Sequence, residues 1–136
     1  MSEELKAKVD RWLEAWNTGN LDILDEILAA TFVHHRPPHP DIVGLEGLKK
    51  HITALRAAYP DWHITGDETI VEGNTSAVRG TWGGTLTGVS PAAGVAGGGK
   101  RVNVAYCSVS HWVNGRAVEE LNYSDFLGLQ QQLGAV

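Results

Sequence analysis

Two residues carry the most explicit chemical potential: Asp125 in Asn122-Tyr123-Ser124-Asp125-Phe126, and His111 in Val109-Ser110-His111-Trp112. A carboxylate held beside aromatic rings has its ionised form disfavoured, which raises its pKa towards values suited to general acid–base work. An imidazole aimed into a closed cavity can share a proton or polarise a carbonyl. Each has a plainer reading. Ser124 or Asp125 could cap the turn around Phe126-Leu127-Gly128, and His111 could be hydrogen-bonded across a sheet.

The five tryptophans, Trp12, Trp16, Trp62, Trp82 and Trp112, are more indole than a small core needs for filling, since each N–H wants a partner. They either line a pocket for a flat polycyclic ligand or form the helix–sheet core; for Trp12 the core reading is preferred. Trp16, Trp62 and Trp82, with Tyr59 and Tyr106, are the candidates for contact with a ligand.

Other chemistries find less support. His34, His35 and His39 cluster, but strand neighbours face opposite ways, the Pro-rich loop displaces the third, and zinc spacings are missing, so no metal is expected. His39 and His51 read as surface or cavity-rim histidines. The single cysteine, Cys107, has no partner motif and reads as packing. There is no P-loop, no dinucleotide fingerprint after a first strand and no nucleophile elbow. Epoxide hydrolysis is disfavoured because Arg101-Val102-Asn103-Val104 supplies no carboxylate–arginine–carboxylate arrangement.

The 136 residues are expected to form one domain over 1–136. With 16 acidic against 11 basic residues, the formal charge is −5, which gives no electrostatic reason to expect nucleic acid or anionic membrane. No apolar run approaches the ~20 residues of a membrane span. The N-terminus lacks a signal-peptide pattern, and one cysteine fits a reducing compartment, so a cytoplasmic location is expected.

The elements that must position these groups divide into two halves. Helices are predicted over Leu5–Trp16, over Leu21–Leu28 with Asn20 as N-cap, and over Leu45–Tyr59. Thr31–His35 reads as extended, Arg36–Pro40 as a stiff loop. Strands follow over His63–Glu72, Thr75–Thr87, Lys100–Val113 and Arg116–Ser124, with Asn114-Gly115 a type I′ hairpin signal and Leu127–Val136 a short tail. Residues 88–99 read as a flexible loop without the apolar mass to pack. Helices followed by a meander of long strands give an α+β domain, a curved, mainly antiparallel sheet forming a cone around the N-terminal helices. Gly80, Gly83, Gly84 and Gly88 suit the bends of such a sheet.

The chain resembles the SnoaL-like polyketide cyclases, or ester cyclases, of the nuclear transport factor 2-like superfamily. The matching pieces are Phe32-Val33-His34-His35-Arg36-Pro37, Gly44-Leu45-Glu46-Gly47-Leu48-Lys49, Ala58-Tyr59-Pro60-Asp61-Trp62-His63, Gly115-Arg116-Ala117-Val118-Glu119-Glu120 and Ser124-Asp125-Phe126-Leu127-Gly128-Leu129. The resemblance implies a cofactor-independent enzyme closing a ring by intramolecular aldol chemistry on a hydrophobic polycyclic or aromatic carbonyl compound. It also implies that Asp125 is the acid/base, His111 its partner and His35 a substrate contact. The sequence departs from the family in Gly84-Thr85-Leu86-Thr87-Gly88, where leucine stands at a usual histidine, and in the glycine-rich insertion before Lys100.

A ketosteroid-isomerase-like proton shuttle and a non-catalytic binding or dimerisation module are the alternatives on the same fold. The partners expected are a small hydrophobic molecule and, because an outer sheet face rich in Val, Tyr and Trp is costly to expose, further copies in a homodimer or homotetramer. One geometric condition attaches to the pair. With regular pairing after the Asn114-Gly115 turn, His111 and Asp125 fall on opposite faces, so a β-bulge is predicted between them.

Overall fold

A computed structural model describes residues 2–135. Leu5, Val9, Trp12 and Trp16 fall on one stripe of α1 (Ser2–Thr18), and that stripe is buried. The next helix, α2 (Asp22–Ile27), starts without a side-chain cap, so Asn20 does not serve as one. It leads directly into β1 (Leu28–Arg36). The Pro-rich segment expected as a loop is a tight turn into β2 (His39–Val43), a strand that its prolines obscured. Helix α3 (Leu45–Ala58) buries Leu48, Ile52 and Leu55.

The strand half comprises β3 (His63–Ile64), β4 (Glu68–Glu72), β5 (Thr75–Leu86), β6 (Lys100–Val113) and β7 (Arg116–Ser124). A short helix, α4 (Phe126–Gln132), replaces the expected tail. The sheet runs β2-β1-β7-β6-β5-β3, and β4 pairs with β5 beside β3. β1 and β7 are parallel, so the first and last long strands meet in the middle of the sheet. The expected α+β cone is present: a curved, mainly antiparallel sheet carries the N-terminal helices on its inner face.

Two devices shape the sheet. The β5–β6 ladder is unbroken from Thr75↔His111 to Leu86↔Lys100, so the β5 glycines make no bulge. Gly80 instead admits a close approach: a Cβ there would sit 2.1 Å from the Thr65 carbonyl oxygen. The second device lies beyond the Asn114-Gly115 turn, where both residues have positive φ as a type I′ turn requires. His111 pairs with Glu119 while Trp112 pairs with Ala117, which leaves Val118 unpaired as the predicted bulge.

Residues 88–99 are folded, contrary to the expected loose loop. Val89 bridges Ala96, Ser90 N–H donates to the Val95 carbonyl at 2.9 Å, and Ser90 is buried. The segment compensates for its small side chains with backbone hydrogen bonds, and Ala92, Ala93 and Val95 pack against the core.

Candidate active site

The cone encloses a cavity between α1, α3 and the inner sheet face, with about 70 Å³ open to the centres of water-sized molecules. Trp12, Trp16, Trp62 and Trp82 supply much of its apolar lining. Trp16 and Trp62 stack at 6.0 Å between ring centroids, and Trp62 and Trp82 at 5.2 Å, giving a continuous indole wall.

The opposite lining is polar, and the strand period explains it. Ser108 and Ser110 on β6 and Glu120, Asn122 and Ser124 on β7 occupy alternate, inward positions. Several are tied into a chain. Trp82 Nε1–H donates to Ser124 Oγ at 3.0 Å, Ser124 Oγ donates to Asn122 Oδ1 at 2.8 Å, and Asn122 Nδ2 donates to Ser108 Oγ at 2.7 Å. These hydroxyls and amides satisfy one another and fix the wall.

The candidate centre is His34 with Glu120. Parallel pairing of β1 and β7 sets the two residues opposite each other, and His34 Nδ1 lies 2.6 Å from Glu120 Oε1. Both side chains are nearly buried, at 6% and 11% exposure. With the carboxylate as acceptor Nδ1 carries a hydrogen, and in the neutral form of the ring the lone pair then lies on Nε2. Nε2 has no protein partner among the described residues, and the ring lines the cavity.

Two further basic residues, His51 and Arg36, line the same cavity. The His51 ring stands 6.2 Å from that of His34; burial first, then the charge of Arg36, pushes its pKa down to about 3, so it stays neutral. Arg36, two residues beyond His34, also lines the cavity. At the same end, His39 Nε2–H donates to the Ala92 carbonyl at 2.9 Å, joining the β1–β2 turn to the 88–99 segment.

Several expected site residues lie elsewhere. Asp125 is exposed and caps α4, its Oδ1 accepting from Gly128 N–H at 2.9 Å. His111 stands on the outer face, 2.8 Å from Glu119 Oε1. The bulge does bring the two to one side of the sheet, since Asp125 N–H bonds to Ala105 O opposite the outward Ala105, but it is the side away from the cavity. Ala105 and His111 are six positions apart on β6, roughly 20 Å of strand, so Asp125 and His111 form no unit.

His35 is likewise corrected: strand alternation turns it outward, to Asp41 at 3.0 Å and Glu119 at 3.2 Å. Tyr59 is fully buried behind Trp62 and Trp82 and does not line the cavity. Tyr106 does line it, but its hydroxyl donates to the Thr65 carbonyl at 2.6 Å. Trp16, Trp62 and Trp82 stand at the cavity as expected, and His51 sits at its wall.

The residues missed were His34, Glu120 and Arg36. One signal in the sequence pointed to two of them: in Phe32-Val33-His34-His35-Arg36, His34 and Arg36 share parity with the apolar Phe32.

An α+β cone of N-terminal helices against a curved, mainly antiparallel sheet is the nuclear transport factor 2-like architecture. Within that class, the chain belongs to the SnoaL-like polyketide cyclase family, whose sequence profile matches residues 6–133. Among solved structures, TsrD from Streptomyces laurentii is 26% identical with a TM-score of 0.89, the match covering 100% of this chain and 98% of that one. Wild-type IdmH from Streptomyces antibioticus, a candidate polyketide cyclase, is 27% identical with a TM-score of 0.80 and coverage of 95% and 97%. An LEH-like epoxide hydrolase from M. tuberculosis, 16% identical with a TM-score of 0.77 and coverage of 98% and 91%, shares the fold. No curated protein sequence matches significantly. No helix among the described residues is long and apolar enough to cross a membrane.

Proposed function

We propose that the chain is a cyclase-type enzyme that moves a proton at a carbon next to a carbonyl in a hydrophobic cyclic or aromatic substrate, the step that begins an intramolecular aldol closure. His34 Nε2 takes the acidic α-proton. Glu120, bonded to Nδ1, fixes the tautomer and stabilises the imidazolium that results. The neutral His51 can donate to the enolate oxygen without protonating it outright, the role a neutral imidazole fills best. After the new carbon–carbon bond forms, the His34 imidazolium returns its proton to the alkoxide.

The observation that carries this reading is the 2.6 Å contact of His34 with Glu120 inside the indole-lined cavity. A pure binding or dimerisation module has no need of a nearly buried ionisable pair with a free imidazole nitrogen, since an apolar pair of the same size would stabilise it as well.

Exchange of the α-protons of 2-tetralone into D2O, followed by proton NMR, tests the proposal. The protein is expected to accelerate exchange, and His34→Gln to abolish the acceleration. Equal rates with both proteins would sink it.

A further inference from the structure

Arg36 is not accounted for by proton transfer. It follows His34 by two residues on β1 and lines the same cavity. Its Nε–H donates to the Pro40 carbonyl at 3.1 Å, which holds the side chain against the β1–β2 turn. The guanidinium forms no ion pair among the described residues, and burial alone acts on it, holding its pKa below the ordinary value. Of the other five arginines, Arg11, Arg79 and Arg101 each face a carboxylate, and Arg56 and Arg116 each use a terminal nitrogen on two backbone carbonyls, whereas no terminal nitrogen of Arg36 is bonded among the described residues.

The rest of the cavity does not neutralise Arg36. Glu120 is the one carboxylate in the lining, and it is already bonded to His34. His51 and His39 add polar ring edges near Arg36 but no negative charge. A partly desolvated guanidinium with its terminal nitrogens unused, in a cavity without a spare anion, is a site waiting for an acceptor.

We infer that Arg36 is the specificity residue of the cavity and anchors a carboxylate, so that the substrate is a flat hydrophobic or aromatic carboxylic acid rather than its ester. This rests on the proposed function for the reaction but not for the binding. Alternate positions on a strand lie ~7 Å apart, so a carboxylate on Arg36 puts a carbon two or three bonds along the substrate near His34. The acid group then lies towards Arg36, and the hydrocarbon rings run along Trp16, Trp62 and Trp82. The Glu120 charge, two positions from Arg36 in the aligned strand, repels a carboxylate placed deeper, which gives the substrate one orientation.

Calorimetric titration with 2-naphthoate and with methyl 2-naphthoate separates the possibilities. The protein is expected to bind the acid roughly tenfold or more tightly than the ester, as one charge-assisted bidentate contact implies. Arg36→Gln is expected to erase that preference by weakening the acid far more than the ester, and Arg36→Lys to keep part of it. Equal affinity for acid and ester, absence of acid binding, or a preference that survives in Arg36→Gln would overturn the inference. His34→Gln keeps the two readings apart. If that variant retains the preference for the acid but exchange was never accelerated by the parent protein, the chemistry fails and the anchor stands. If exchange is accelerated but acid and ester bind alike, the anchor alone fails.

Discussion

His34 and Glu120, 86 residues apart in the chain, meet at 2.6 Å because the first and last long strands of the sheet run parallel and in register at that point. The pair is the most deeply set ionisable contact in the fold, and its consequences for stability and activity can be separated. Glu120→Ala leaves a buried imidazole without its acceptor and is expected to cost about 3 kcal/mol in urea denaturation. A cost below about 0.5 kcal/mol, the range of exposed ion pairs, would mean that the pair is solvated in solution.

His51 offers an independent check on the dryness of the cavity. With burial as the main cause and the Arg36 charge second, its pKa is pushed down to about 3. Its ring protons are therefore expected to keep one chemical shift by NMR from roughly pH 5 to pH 8, the range in which an ordinary histidine titrates. A midpoint near the ordinary value would place water around the ring.

Asp125 is expected to matter for α4 and not for turnover. Its carboxylate accepts from Gly128 N–H, so Asp125→Ala should lower stability by about 1 kcal/mol while Asp125→Asn, which keeps an acceptor, changes it little. Both variants are expected to retain full exchange activity. Loss of activity in a folded Asp125→Asn protein would return the acid/base role to this residue.

The outer face is expected to contribute to the pH dependence of folding. The hydrogen bond to Asp41 raises the pKa of His35 above 6.5, against burial, with Glu119 adding in the same direction. A raised histidine pKa means that the folded state holds its proton more tightly. The stabilisation is therefore complete below the unfolded value and is lost as pH rises through the folded one. Glu119 behaves oppositely: hydrogen bonds from His111 first, then His35, lower its pKa below 4.5, so its share is present above that value and lost on acidification. Stability should thus be greatest between these two ranges and decline from pH 6 to pH 8, and His35→Gln should flatten the decline. Denaturation curves at the two pH values provide the comparison; an unchanged decline in the variant would assign it to other groups.

Trp62 and Trp82 separate packing from hydrogen bonding within the indole wall. Trp62 Nε1–H is buried without an acceptor, so Trp62→Phe should be close to neutral for stability. Trp82 Nε1–H donates to Ser124 Oγ, and Trp82→Phe should cost about 1 kcal/mol more. Equal effects in thermal denaturation would show that the hydrogen bond carries no weight.

Local patterns made much of the fold legible. The stripe of α1, the Asn114-Gly115 hairpin and the limits of β6 and β7 all follow from spacing and turn chemistry. The bulge is predicted by parity together with the resemblance, which asks His111 and Asp125 to face one side. What parity could not say was which face is inside. His34 and His35, like Glu119 and Glu120, are adjacent residues of one type, and strand alternation sends one of each pair inward. The bulge at Val118 then spaces the buried Ala117 and Glu120 by three positions, which hides Glu120 from a period of two. The parallel meeting of β1 with β7 is a long-range event that no local pattern encodes. Asp125, by contrast, was drawn into the site by its aromatic neighbours, although Tyr123 points outward and the carboxylate follows the chain into a cap.

The central claim is that one imidazole–carboxylate pair moves the proton. Its most direct measurement is the rate of α-proton exchange of 2-tetralone in D2O for the parent protein, His34→Gln, Glu120→Gln and Asp125→Asn under identical conditions. The parent and Asp125→Asn should be equally fast. His34→Gln should fall to the buffer rate, and Glu120→Gln should drop by roughly 10²-fold or more, as loss of an orienting carboxylate does to a general base. Full activity in His34→Gln would contradict the account.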